Sequence, residues 1–266
     1  MSGVGAVLAQ AKSQGRAALV GYLPVGYPDV QGSIDAMVAM VEAGVDIVEI
    51  GVPYTDPLMD GPVIQHAVDV ALKGGTRLRD IFTAVRAVAA AGAPALVMTY
   101  WNPVLRYGVD RFADDLATAS GAGLITPDLI PDEGLEWIVA AERNNLDRVF
   151  LVAPSSTPDR LRSTASACRG FVYAASTMGV TGERTAVGDT AEVLVNRTRL
   201  MTDTPVCVGL GVSTGAQAAQ VAAFADGVIV GSALVRCLTD AGSRVEGLAA
   251  IRRLSADLAA GVRAGR

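Results

Sequence analysis

Eight short apolar runs, alternating with amphipathic or alanine-rich stretches along 266 residues, predict an α/β protein, a (β/α)8 or TIM barrel. Three observations carry this expectation. Strands that alternate with helices imply parallel pairing, eight repeats at this length favour a closed barrel over an open sheet, and no linker interrupts the pattern. One domain over residues 1–266 is therefore expected.

The expected strands are Ala18–Leu23, Asp46–Val52, Pro94–Tyr100, Gly123–Thr126, Arg148–Val152, Phe171–Ala175, Pro205–Leu210 and Gly227–Val230. Each is a nearly continuous apolar run, as strands covered on both faces require. The expected helices are Gln31–Ala43, Val63–Lys73, Leu78–Ala91, Val109–Ser120, Glu133–Asn144, Pro158–Cys168, Thr190–Met201, Thr214–Phe224 and a last one from Ala233 to the C-terminus. Two connections exceed the usual strand-to-helix length: 53–61 after the second strand and 176–189 after the sixth. Both belong at the C-terminal face, where barrel active sites lie, and both contain glycine, as a mobile lid would.

Composition narrows the function. The chain is 51% hydrophobic and 18% charged, which excludes a disordered chain or a coiled coil. A net charge of −5, a pI of about 4.9 and the lack of a basic run speak against nucleic-acid binding. The longest uncharged stretches carry Pro, Gly and polar residues, unlike a membrane span, and the N-terminus lacks the pattern of a signal peptide. Cys168, Cys207 and Cys237 are widely spaced and read as buried, reduced thiols of a cytoplasmic protein. Only two lysines, Lys12 and Lys73, and one histidine, His66, are present. Lys12 falls in a polar N-terminal segment, Lys73 near a helix end and His66 on a surface or interface. A Schiff-base lysine and a histidine metal cluster are thus both missing, and no metal is expected.

The chemistry must come from elsewhere. Gly209-Leu210-Gly211-Val212-Ser213 and Gly231-Ser232-Ala233 follow the seventh and eighth strands, the usual phosphate position of this fold. Glycine lets backbone N–H groups approach an anion, and a helix N-terminus with Ser232 as its cap adds positive potential. Gly182 could supply a further N–H. Glu49 interrupts the apolar run Ile47-Val48-Glu49-Ile50, where burial should raise its pKa and suit it to acid–base work; a structural Glu bonded to a buried partner is the alternative. Asp60, in Asp56-Pro57-Leu58-Met59-Asp60-Gly61-Pro62, is either a helix cap or a chemical group. Tyr22, Tyr100, Trp101 and Tyr173 follow or close strands 1, 3 and 6, where they line a flat substrate or pack at the rim. These features describe a phosphate-binding barrel whose substrate brings its own electron sink.

The segments VEIGVPYTDPLMDGPVIQHA (48–67), MTYWNPVLRYG (98–108), ASTMGVTGERT (175–185), GLGVST (209–214) and GVIVGSALV (227–235) resemble the tryptophan synthase alpha chain family, over about 21–235. The resemblance implies retro-aldol cleavage of indole-3-glycerol phosphate to indole and glyceraldehyde 3-phosphate. It assigns protonation of indole C3 and removal of the glycerol hydroxyl proton to Glu49, and the indole N–H to Asp60. Tyr173 matches a pocket tyrosine, and Tyr22 stands where many relatives have Phe. Thr181 matches a loop threonine that closes toward the loop aspartate. Gly182, Gly211, Gly231 and Ser232 match phosphate-binding positions. Thr55 replaces a common Ser and Met59 a small residue. The family works as an α2β2 heterotetramer with a pyridoxal-phosphate (PLP) beta chain that receives indole through a tunnel, so no cofactor is expected in this chain. Pro53, Asp56 and Asn102–Tyr107 are candidate interface positions. A phosphate-ligand sensor without turnover and another sugar-phosphate barrel enzyme are the competing readings. The presence of both Glu49 and Asp60 opposes the first. The second would want a catalytic Lys or His at a strand end.

Overall fold

The computed structural model describes residues 3–175, 189–209 and 211–265. Eight parallel strands close into a barrel in chain order, β1 through β8 with β8 returning to β1. They are β1 (Ala18–Pro24), β2 (Ile47–Gly51), β3 (Ala95–Met98), β4 (Gly123–Thr126), β5 (Asp147–Val152), β6 (Val172–Ala175), β7 (Val206–Gly209) and β8 (Gly227–Val230). All eight expected strands are present, with ends shifted by at most a few residues.

Side chains alternate between the two faces of each strand. Leu19, Val48, Val97, Leu124, Val172, Val206 and Val228 face outward into the shell of helices. Ala18, Val20, Ile47, Leu96, Ile125, Val149, Phe171, Cys207 and Ile229 fill the barrel interior. The register pairs Val20 with Ile47 and Tyr22 with Glu49. Two residues beyond the apolar filling, both strands therefore turn Tyr22 and Glu49 to the inside.

The expected helices appear as α2 (Val30–Glu42), α3 (Pro62–Lys73), α4 (Asp80–Ala90), α6 (Val109–Thr118), α7 (Leu135–Arg143), α8 (Pro158–Ala167), α9 (Asp189–Arg199) and α10 (Gly215–Ala222). Three features depart from expectation. The N-terminal segment is a helix, α1 (Gly3–Ser13), whose Val4, Leu8 and Ala11 join the interior cluster and close the N-terminal end of the barrel. Gly3 and Gly5 weaken its helical signal, and packing compensates. A short α5 (Trp101–Tyr107) follows β3 directly. Finally, the single C-terminal helix is two, α11 (Ser232–Thr239) and α12 (Arg244–Ala264). Ser243 caps α12 by accepting from Glu246 N–H, while Glu246 Oε2 accepts from Gly242 N–H at 3.1 Å. That Ser-x-x-Glu signature is visible in the sequence.

Among the described residues, no helix is long and apolar enough to cross a membrane. Of the three cysteines only Cys207 is buried; Cys168 and Cys237 are half-buried, short of the expectation.

Candidate active site

At the C-terminal mouth the barrel changes character. Glu49 is 1% exposed, and neither of its carboxyl oxygens has a hydrogen-bond partner among the described residues. Burial raises its pKa from 4.5 to about 8. A shift of that size corresponds to about 5 kcal/mol against the charged form. The alternative of a structural Glu held by a buried partner finds no such partner among the described residues.

Asp60 ends the connection from β2 to α3. It does not cap the helix: Gly61 is the N-cap, Pro62 fills the first turn, and no side chain supplies the cap bond. Its carboxylate instead accepts from the Tyr100 hydroxyl, 3.2 Å from Oδ1. The Asp60 backbone carbonyl accepts from Gln65 Nε2 at 2.7 Å. Desolvation raises the Asp60 pKa, and the Tyr100 bond opposes the rise.

Around these two carboxyls stand Tyr22, Tyr100 and Tyr173. Burial pushes the Tyr22 hydroxyl up, and the charges of Asp60 and Glu49 push it further, so the ring stands by both acids. Tyr173 is likewise raised by burial and then by Glu49. Two glycines make room for the rings. A Cβ on Gly51 would lie 2.4 Å from the Tyr22 hydroxyl, and one on Gly209 would lie 2.4 Å from that of Tyr173. Trp101 is half-buried and begins α5 at the rim.

On the opposite side, Gly211 adopts a left-handed φ of 40°. Gly231 is the N-cap of α11, so Ser232 is its first residue rather than the expected cap. Helix α11 starts two residues after β8, so its N-terminal end lies at this mouth. Thr181 and Gly182, with the rest of the 176–188 connection, lie outside the described residues. Lys12, on α1 at the other end, and Lys73, paired with Asp69 at the surface, stand apart from the mouth. His66 is exposed beside Tyr27. No cluster of three or more metal-ligating side chains occurs among the described residues.

The rim beyond β2, β3 and β4 exposes several large apolar side chains among polar ones. Leu58 is 70% exposed, Leu105 52%, Ile130 40% and Leu135 69%. Within Asn102–Tyr107, Asn102, Leu105 and Arg106 face outward, whereas Val104 is buried and Tyr107 packs against Phe82 and Phe112. Asp56 is exposed and Pro53 half-buried.

A closed parallel barrel with a buried carboxyl at its C-terminal mouth, unpaired among the described residues, has the build of the (β/α)8-barrel enzymes. The profile of the family described as tryptophan synthase alpha chain matches residues 8–262. The tryptophan synthase alpha chain of Mycobacterium tuberculosis (strain H37Rv) is 61% identical over 264 residues, 99% of this chain and 96% of that protein. That of Salinispora arenicola is 62% identical over 263 residues, 99% and 98% of the two. A structure of Mycobacterium tuberculosis tryptophan synthase superposes with a TM-score of 0.93 at 60% identity, covering 98% of each chain. The chain belongs to the tryptophan synthase alpha chain family. Its reaction is cleavage of indole-3-glycerol phosphate to indole and glyceraldehyde 3-phosphate in tryptophan biosynthesis.

Proposed function

We propose that Glu49 is the acid and base of this cleavage and Asp60 its electrostatic partner. The observation that carries the reading is the Glu49 carboxyl itself, buried, unpartnered and raised to about 8, hence protonated at neutral pH. Glu49 gives its proton to indole C3, producing an indolenine cation. Asp60 accepts a hydrogen bond from the indole N–H and stabilises the positive charge. The Glu49 carboxylate then takes the proton of the glycerol hydroxyl as the C3–C bond breaks. The electrons of that bond return to the ring, releasing indole and the aldehyde and leaving Glu49 protonated again.

Tyr22 and Tyr173 flank the indole, with Tyr100 at the edge of the same pocket. Thr181 closes over the site, and Gly182, Gly211, Gly231 and Ser232 hold the phosphate through backbone N–H groups and the α11 dipole. The chain works as one domain without a cofactor of its own, in the cytoplasm. Its partner is a PLP-dependent beta chain in an α2β2 assembly, seated on the rim of Asp56, Leu58, Asn102, Leu105 and Leu135. Support comes from the exposed leucines of three neighbouring connections and from the related structures, which are of Mycobacterium tuberculosis tryptophan synthase.

The test measures indole release from indole-3-glycerol phosphate, for the chain alone and with a beta chain added. Slow release alone, acceleration by the partner and collapse in Glu49→Gln are expected. Near-normal turnover by Glu49→Gln would falsify the acid–base assignment. Phosphate-ligand binding without turnover would favour the sensor.

A further inference from the structure

We infer that Tyr100 is a positioning residue, whose hydroxyl clamps the 53–61 connection so that the Asp60 carboxylate points into the barrel mouth. The inference rests on the reading of Asp60 given above and changes the part played by Tyr100, from lining the substrate to holding a catalytic group. Its basis is a count of bonds. The Tyr100 oxygen accepts from Leu58 N–H at 3.0 Å and from Met59 N–H at 2.9 Å, and its proton goes to Asp60 Oδ1 at 3.2 Å. A phenol has one proton to donate and few lone-pair directions to fill, so three bonds leave nothing for a substrate. Burial holds the hydroxyl at about 12, so it keeps the proton it donates.

The clamp is set on a rigid base. Tyr100 is 6% exposed and stands where β3 gives way to α5. Both oxygens of Asp128, in the connection after β4, accept from Trp101 N–H, at 2.9 and 3.1 Å. The Tyr54 ring lies 5.5 Å from that of Tyr100, and the Tyr54 hydroxyl accepts from Asn102 Nδ2 at 3.1 Å. Three connections thus meet around one tyrosine. Leu58 lends its N–H to the clamp while its side chain stands out on the rim. A group pressed on that leucine pushes on the residue two places before Asp60.

The experiment compares Tyr100→Phe, Asp60→Asn and the double variant, each assembled with the beta chain. Loss of a hydrogen bond to a charged group should lower kcat about 10- to 100-fold, with KM for indole-3-glycerol phosphate nearly unchanged. Because the Tyr100 bond lowers the Asp60 pKa, its removal should move the acid limb of the rate profile to higher pH. The titrating groups that face Tyr22 in this mouth are Asp60, Glu49, Tyr100 and Tyr173, and three of them stay in place in Tyr100→Phe. In the Asp60→Asn background, Tyr100→Phe should cost nothing more. A carboxyl carbon-13 titration of Asp60 reads the clamp without reference to catalysis, and its midpoint should rise. Additive losses, or a lower rate on an unmoved profile and midpoint, overturn the inference in favour of simple packing. A moved midpoint with unchanged kcat instead overturns the catalytic reading of Asp60, and the inference falls with it. Binding of glycerol 3-phosphate, expected to persist in every variant, reports that the fold is intact.

Discussion

Asp46 and Glu49 lie three residues apart, one just before β2 and the other within it, and the protein treats them in opposite ways. Asp46, just before β2, receives both arms of Arg16, at 2.7 and 2.9 Å, and the Leu19 N–H at 2.8 Å. Glu49, further along the same strand, receives nothing among the described residues. Asp147, at the N-terminal end of β5, also has an arginine counter-ion, since Arg169 Nε donates to its Oδ1 at 3.0 Å, although its Oδ2 has no partner among the described residues. One end of the barrel pairs its acids with arginine. The other leaves Glu49 without a partner among the described residues and gives Asp60 only a neutral hydroxyl, as chemistry at a strand C-terminus requires.

Removing the carboxyl at the unpaired end has the largest expected effect. In Glu49→Gln, loss of acid–base catalysis should lower turnover by about 10²–10⁴-fold. Wild-type turnover should itself decline as pH rises through about 8, where Glu49 gives up its proton. The same substitution should improve stability. With a folded pKa of about 8 against 4.5 unfolded, the folded chain holds its proton longer. Its stability therefore falls as pH rises through that interval. Glu49→Gln escapes the loss and should gain up to about 3 kcal/mol over wild type at pH 7 and nothing at pH 4. Denaturant melts at the two pH values check this. An equal gain at both would show that packing, not charge, is responsible.

The paired end should behave in reverse. Arg16→Met leaves Asp46 without its counter-ion and should cost about 2 kcal/mol of stability, with kcat of the folded protein retained. Activity lost in proportion to stability would erase the division between the two ends. The smallest effect belongs to neither end: Ser243→Ala removes the α12 cap and should cost about 1 kcal/mol, read as a lower melting temperature.

Why some of this was legible in the sequence follows from the same physics. Parallel strands hidden on both faces appear as apolar runs, so the barrel and the anomaly of Glu49 within one run could be read directly. The ambiguity of Asp60 was real, because Asp-Gly-Pro suits a helix start. It disappears only when Gly61 takes the cap and Tyr100, forty residues later, takes the side chain. Helix α5 was hidden for a similar reason, since the acceptor for its first N–H is Asp128 from the following connection. Helix α1 depends on the barrel floor rather than on its own residues. The break before α12 is signalled only by Ser243 and Glu246, within an otherwise continuous helical pattern.

The α1 plug has one more consequence. With Val4, Leu8 and Ala11 packed against the filled interior, the end of the barrel away from Glu49 is covered. Whatever meets the two carboxyls must therefore approach from the C-terminal side, where Leu58 and Leu105 stand exposed.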